Sequence, residues 1–219
     1  MAFPLPPLYP ILDTALLARL GMPVEAAAEA MLAAGVRLLQ LRHKGHFSRA
    51  AFLAAERIAE LCRQAGAAFI VNDRADVACL LGAGLHIGQD DLPPGEARRL
   101  LGAQPVLGLS THNSAQLAAA LSEPVDYVAF GPIFPTATKE NPDPVVGLDL
   151  LPALAEQSHR AGRPLVAIGG ITRARAREVL AAGADSVAVI SDLLADPLSS
   201  ASLRARIEEW LQLLNQTAA

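Results

Sequence analysis

The sequence predicts a single (β/α)8 barrel, on three observations. Short β-rich apolar runs alternate with longer helical stretches eight times, polar and charged residues gather directly after those runs, and 219 residues suit one such barrel. Alternation alone fits a closed barrel or an open doubly wound sheet. The polar residues decide between them, because a closed barrel brings all eight carboxyl strand ends to one spot, whereas an open sheet scatters them along an edge.

In chain order the predicted strands are Leu8–Asp13, Leu38–Arg42, Ala68–Val71, Leu85–Ile87, Val106–Ser110, Tyr127–Phe130, Leu165–Ile168 and Val187–Ile190. Runs such as Leu165-Val166-Ala167-Ile168 are apolar at consecutive positions, as a parallel strand requires when both of its faces are covered. A helical stretch follows each. Ser48 is the predicted N-cap of a helix over Ala50–Ala65 with Gly66 as its stop, and Ser114 the predicted cap over Ala115–Leu121. Met1 to Pro7 form a short proline-rich lead into one domain.

A hydrophobic content of 52% is enough for one sizeable core. The formal net charge of −4 offers no broad positive field, so neither nucleic acid nor an anionic membrane surface is an expected partner. No apolar run reaches membrane-spanning length and the first residues lack the order of a signal peptide, so the cytoplasm is the expected location. The two cysteines, Cys62 and Cys79, have no C-x-x-C spacing and are expected as reduced core thiols. Oligomeric state is left open, a homo-oligomer included.

The residues after the strands are rich in anion-binding and cation-binding chemistry. Gln40, Arg42 and Lys44 end the second strand. Arg42 and Lys44 share a face by period-two geometry and suit a diphosphate, while His43 points away; a lone R-x-K is otherwise a surface ion pair. Asn72-Asp73 follows the third strand and Gly88-Gln89-Asp90-Asp91 the fourth. Adjacent strands lie about 4.8 Å apart, so Asp73 and Asp91 can share one hard cation such as Mg²⁺, with Asp90 as a competitor for the second place. An isolated Asn-Asp after a strand is more often a turn pair.

Ser110 ends the fifth strand. Gly169-Gly170 opens a turn into a helix from Arg173, and Ile190-Ser191 stands after the eighth strand, the two positions where barrels commonly bind phosphate through backbone N–H groups. The connection from Gly131 to Gly147 carries four prolines, Thr136, Thr138 and Lys139, and reads as a substrate-covering loop. His86 and His112 are near enough to reach the site, with a satisfied structural histidine as the plainer reading of each. No nucleophile elbow accompanies Ser110 and His112, which argues against a hydrolase.

Taken together, Gln40-Leu41-Arg42-His43-Lys44, Asn72-Asp73-Arg74, His86 to Asp91, Gly108-Leu109-Ser110, Asp126 to Lys139, Ile168-Gly169-Gly170-Ile171 and Ala188-Val189-Ile190-Ser191 resemble the thiamine-phosphate synthase family from about Tyr9 to Leu194. The resemblance implies Mg²⁺-dependent joining of 4-amino-2-methyl-5-hydroxymethylpyrimidine diphosphate to hydroxyethylthiazole phosphate, with C–O cleavage running ahead of attack by the thiazole nitrogen. It assigns Gln40, Arg42, Lys44, Asn72 and Lys139 to the pyrimidine diphosphate, Ser110 to the pyrimidine site, and Asp73 and Asp91 to Mg²⁺. Thr136, Thr138, Gly170, Ile190 and Ser191 fall to the thiazole phosphate. Arg42, Lys44, Ser110 and Lys139 would carry the catalytic burden.

Two departures stand out: His43 replaces the family's usual acidic residue, and Gly82-Ala83-Gly84 shortens its Gly-Ala-Asp-Gly. Two rivals remain. A thiazole tautomerase-like paralogue would share the glycine pair but lack the two aspartates, and a non-catalytic phosphate-binding barrel would have no use for Arg42, Lys44, Asp73, Asp91 and Lys139 together.

Overall fold

The computed structural model describes residues 5–136 and 143–215. Eight parallel strands follow one another around a closed barrel, with the eighth paired to the first. They are β1 (Leu8–Asp13), β2 (Leu38–Arg42), β3 (Ala68–Asn72), β4 (Gly84–Ile87), β5 (Leu107–Thr111), β6 (Tyr127–Phe130), β7 (Leu165–Ile168) and β8 (Ser186–Val189). After β1 come α1 (Thr14–Arg19) and α2 (Val24–Ala33). The remaining strands lead in turn to α3 (Arg49–Ala65), α4 (Ala75–Leu81), α5 (Pro94–Leu101), α6 (Ser114–Ala120), α7 (Leu151–Arg160), α8 (Arg173–Ala181) and α9 (Ser200–Asn215).

The barrel expectation holds, and every predicted strand is present with ends displaced by no more than one residue. The two-sided apolar runs sort as a covered parallel sheet demands. Leu8, Leu12, Leu39, Leu41, Leu165 and Ala167 turn outward into a core shared with the helices, while Tyr9, Ile11, Leu38, Ile70, Tyr127 and Val166 fill the barrel interior. The inner layer admits two tyrosines because β5 has a gap: a Cβ on Gly108 would lie 2.0 Å from Tyr127 Cζ. Leu5, from the lead segment, packs against this inner cluster.

Ser48 caps α3 by accepting from the Ala51 N–H at 3.3 Å, and Gly66 ends the helix with φ 64°. The cap of α6 is corrected: it is Asn113, whose side chain accepts from the Gln116 N–H at 2.9 Å, and Ser114 is the first helical residue. Asn and Ser are equally good caps, so the local pattern does not separate neighbours. Cys62 is buried as expected, but Cys79 is exposed, because α4 buries Ala75, Val77 and Ala78 and turns Cys79 and Leu80 outward. Among the described residues no helix is long and apolar enough to cross a membrane.

Candidate active site

A cavity of about 510 Å³ opens at the carboxyl ends of the strands. Gln40, Arg42, Lys44, Asn72, Asp73, Asp91, Ser110, Thr136, Gly170, Ile190 and Ser191 all line it. Eleven positions spread over 152 residues of chain therefore converge, as barrel closure requires. Thr138 and Lys139 lie outside the described residues.

Arg42, which ends β2, and Lys44, two residues beyond it, both line this cavity but answer to different carboxylates. The Arg42 guanidinium donates to Asp13 Oδ2, and Asp13, at the end of β1, also caps α1 by accepting from the Leu16 N–H at 2.9 Å. Lys44 lies beyond the end of β2, so its position comes from the loop rather than the strand pleat, and its Nζ sits 2.5 Å from Asp73 Oδ2. His43 is turned away from the cavity: Nδ1 lies 2.8 Å from Thr14 Oγ1, Nε2 lies 3.1 Å from the His46 carbonyl, and the ring meets Phe47 edge-on.

Asp73 has φ 64°, the one positive φ among the described non-glycine residues. That conformation is costly for most side chains and mildest for Asn and Asp, so the turn after β3 fixes the carboxylate at some backbone expense. Its own N–H donates to the His86 carbonyl at 2.8 Å, tying the turn to β4. Opposite it, Asp91 Oδ2 accepts from the Gly88 N–H at 2.7 Å. Burial pushes the Asp91 carboxyl up, the Gly88 N–H works against that, and the adjoining Asp73 carboxylate pushes it further. Asp90 also borders the cavity but is exposed, and it is Asp91 that meets Asp73.

Two carboxylates in contact repel unless a proton or a cation lies between them, and oxygen donors of this kind suit Mg²⁺. Among the described residues no group of three or more His, Cys, Asp or Glu is assembled; Asp73 and Asp91 are the pair that could hold such a cation.

Below the charged mouth runs a chain of polar side chains contributed by five strands. Gln40 Nε2 donates to Tyr9 Oη at 2.8 Å, Tyr9 Oη lies 2.9 Å from Tyr127 Oη, Tyr127 Oη lies 2.8 Å from His86 Nδ1, and His86 Nε2 lies 2.8 Å from Ser110 Oγ. Burial pushes His86 down to about 4, so the ring is neutral near pH 7 and carries one N–H. The single ring N–H satisfies the row in either sense: on Nε2 it donates to Ser110 and frees the Ser110 hydroxyl proton, and on Nδ1 it donates to Tyr127 while Ser110 donates to Nε2.

Burial likewise pushes both tyrosine hydroxyls well above their ordinary value, so each stays protonated. Beside this chain, the Asn72 side-chain nitrogen is buried with no hydrogen-bond partner among the described residues, a donor left for something that enters the cavity.

On the far side, Gly169 and Gly170 adopt φ 101° and 62°, and a Cβ on Gly170 would lie 2.4 Å from the Pro135 carbonyl. Only glycine fits so close an approach. The opposing wall is the start of the β6–α7 connection. Ile133 donates to the Ile168 carbonyl at 2.9 Å and Phe134 to the Gly169 carbonyl at 3.0 Å, and Gly131 to Phe134 are buried. The start of the expected covering loop is thus held against β7, while residues 137–142 of that loop lie outside the described residues. Thr172 precedes α8 without a side-chain cap, so the first amides of that helix face the glycine turn uncapped by their own loop.

Sequence reasoning missed Tyr9, Tyr127 and Asp13 as site residues, and named Gln89 only as a strand-end residue without its contact, in which Nε2 donates to the Ser110 carbonyl at 2.6 Å. Tyr9 and Tyr127 lie at interior positions of their strands, and strict period-two counting back from the strand ends was the signal available.

Residues 8–193 match the family described as thiamine monophosphate synthase. The chain belongs to that family. It is 48% identical over 189 residues to the thiamine-phosphate synthase of Koribacter versatilis, covering 86% of this chain and 85% of the relative, and 47% identical over 193 residues to that of Mycolicibacterium smegmatis, covering 82% and 84%. Among solved structures, thiamine phosphate pyrophosphorylase from Pyrococcus furiosus superposes with a TM-score of 0.81 at 29% identity, covering 97% of this chain and 98% of that one. A KDPGal structure superposes at 0.75 with 16% identity, a likeness of fold alone.

Proposed function

We propose that this chain, a thiamine-phosphate synthase by family, joins 4-amino-2-methyl-5-hydroxymethylpyrimidine diphosphate to hydroxyethylthiazole phosphate and releases diphosphate. The C–O bond between the pyrimidine methylene and the diphosphate breaks, and the thiazole nitrogen supplies the electron pair of the new C–N bond. What supports this reading is the single cavity in which a cationic mouth, a pair of touching carboxylates and a glycine-lined anion cradle meet. The sequence rivals each account for only part of that set.

Mg²⁺ held by Asp73 and Asp91 would neutralise the charge that builds on the departing diphosphate. Arg42 and Lys44 add fixed positive charge at the same place, held by Asp13 and Asp73, so little reorganisation is needed as the bond breaks. Lys139 belongs with them by resemblance. Asn72 and Ser110 offer donors to the pyrimidine end, backed by Gln40 and the buried chain behind it.

Gly170, Ile190 and Ser191, with Thr136 and Thr138, receive the thiazole phosphate, so that both reactants enter one pocket from opposite sides. A pocket lined on this side by Gly131 and Pro132 keeps water from competing for the cationic pyrimidine methylene. The cytoplasm, where Cys79 stays reduced, is the proposed location. Incubating the purified protein with both phosphorylated heterocycles and Mg²⁺ tests the proposal: thiamine phosphate and diphosphate are expected in equal amounts, and neither without Mg²⁺.

A further inference from the structure

We infer that Asp192 is a positioning residue for the phosphate cradle and that the indole of Trp210 anchors it. The inference rests on the thiazole-phosphate reading of Gly170 and Ser191. Those two halves of the cradle come from separate loops, and amides in both must aim at one phosphate.

Asp192, the residue after Ser191, spans the gap. Its Oδ2 accepts from Trp210 Nε1 at 3.0 Å and from the backbone N–H of Arg173, the first residue of α8, at 3.3 Å. Thr172 provides no cap of its own, so the α8 cap comes from the neighbouring loop. Trp210 is fully buried in α9 and cannot follow a moving loop.

Further grips from α9 hold the same two segments. Arg206 donates to the carbonyls of Leu193 at 2.7 Å and Ala195 at 3.2 Å, and Glu209 pairs with the Arg173 side chain. The C-terminal helix, which contributes no residue to the cavity, thereby fixes the spacing of its phosphate-binding loops.

The chemistry separates this role from a merely electrostatic one. A carboxylate beside an anion site repels the anion, so a residue present for its charge alone would improve phosphate binding when removed in any way. A positioning acceptor behaves differently. Asp192→Asn keeps an acceptor oxygen for both donors and drops the charge, whereas Asp192→Ala drops both.

Steady-state kinetics of wild type, Asp192→Asn, Asp192→Ala and Trp210→Phe, with thermal denaturation of each, test the inference. Asp192→Ala is expected to raise KM for hydroxyethylthiazole phosphate about tenfold, the worth of one charge-assisted hydrogen bond, with kcat and the pyrimidine KM within about twofold of wild type. Asp192→Asn should match or improve on wild type, and Trp210→Phe should fall between.

Trp210 is the only tryptophan in the chain, so its emission should shift when hydroxyethylthiazole phosphate is added to wild type and not when the pyrimidine diphosphate is added. An unchanged KM in Asp192→Ala in an enzyme that turns over overturns the inference alone, as does a gain in both Asp192 variants or an equal loss in both. A wild type that binds hydroxyethylthiazole phosphate with the predicted ranking of variants yet makes no thiamine phosphate overturns the reaction and leaves the positioning role standing.

Discussion

Lys44 and Asp73 leave adjacent strands and meet at 2.5 Å across the mouth of the barrel, with the Asp73 carboxylate also against Asp91. One carboxylate therefore pairs with a cation of the chain and would also serve the proposed Mg²⁺ site. Asp73→Asn keeps the shape but removes the charge. Turnover should fall by about 100-fold or more, on the several kcal/mol that a metal contributes to leaving-group departure, and raised Mg²⁺ should restore part of it. Asp91→Asn should behave alike and the exposed Asp90→Asn more mildly. The fold should persist, because an exposed Lys–Asp pair is worth little and relieving the contact with Asp91 favours the metal-free protein.

Gly170 has no room for a side chain. Gly170→Val would drive a Cβ toward the Pro135 carbonyl at a backbone angle that valine resists. Calorimetry with each substrate in turn should show weakened binding of the thiazole phosphate and near-normal binding of the pyrimidine diphosphate in Mg²⁺. Equal loss of both would place the cradle elsewhere.

The barrel was legible because parallel strands covered on both faces leave unbroken apolar runs, and the strand ends were legible because chemistry collects there. Tertiary pairing was not. Asp13 reads as the last residue of a strand, which it is, but nothing local marks it as the partner that aims Arg42, 29 residues away. The Tyr9–Tyr127 contact joins residues 118 apart, and its enabling feature is the missing side chain of Gly108 on a third strand. Such relations depend on register around a closed sheet, which no local pattern encodes. Asp192 escaped for the same reason, since its donors are an amide and an indole from two other elements.

His86 gives the protein an acid-side weakness. Its folded value is about 4 against an ordinary 6.5, so between those values only the unfolded chain takes the proton. Stability should therefore rise with pH across that window, by on the order of 3 kcal/mol in all, and be insensitive to this group above it. Denaturant melts of wild type and His86→Asn across the window measure the slope. The variant should lose about one proton's worth of pH dependence, and identical slopes would exclude a buried neutral ring.

Gly108→Ala places a methyl inside the Tyr127 ring. Overpacking of this kind costs roughly 1–3 kcal/mol, and displacement of Tyr127 would also break its bond to His86. A lowered Tm together with a raised KM for the pyrimidine diphosphate is expected; a lowered Tm with unaltered kinetics would detach the buried polar chain from substrate binding.

The most direct measurement is product analysis. Purified protein given both phosphorylated heterocycles and Mg²⁺ should form thiamine phosphate with one diphosphate released per product, and should stop when a chelator removes the metal. Folded protein that binds both substrates and forms no thiamine phosphate, or that remains fully active in chelator, would contradict the account.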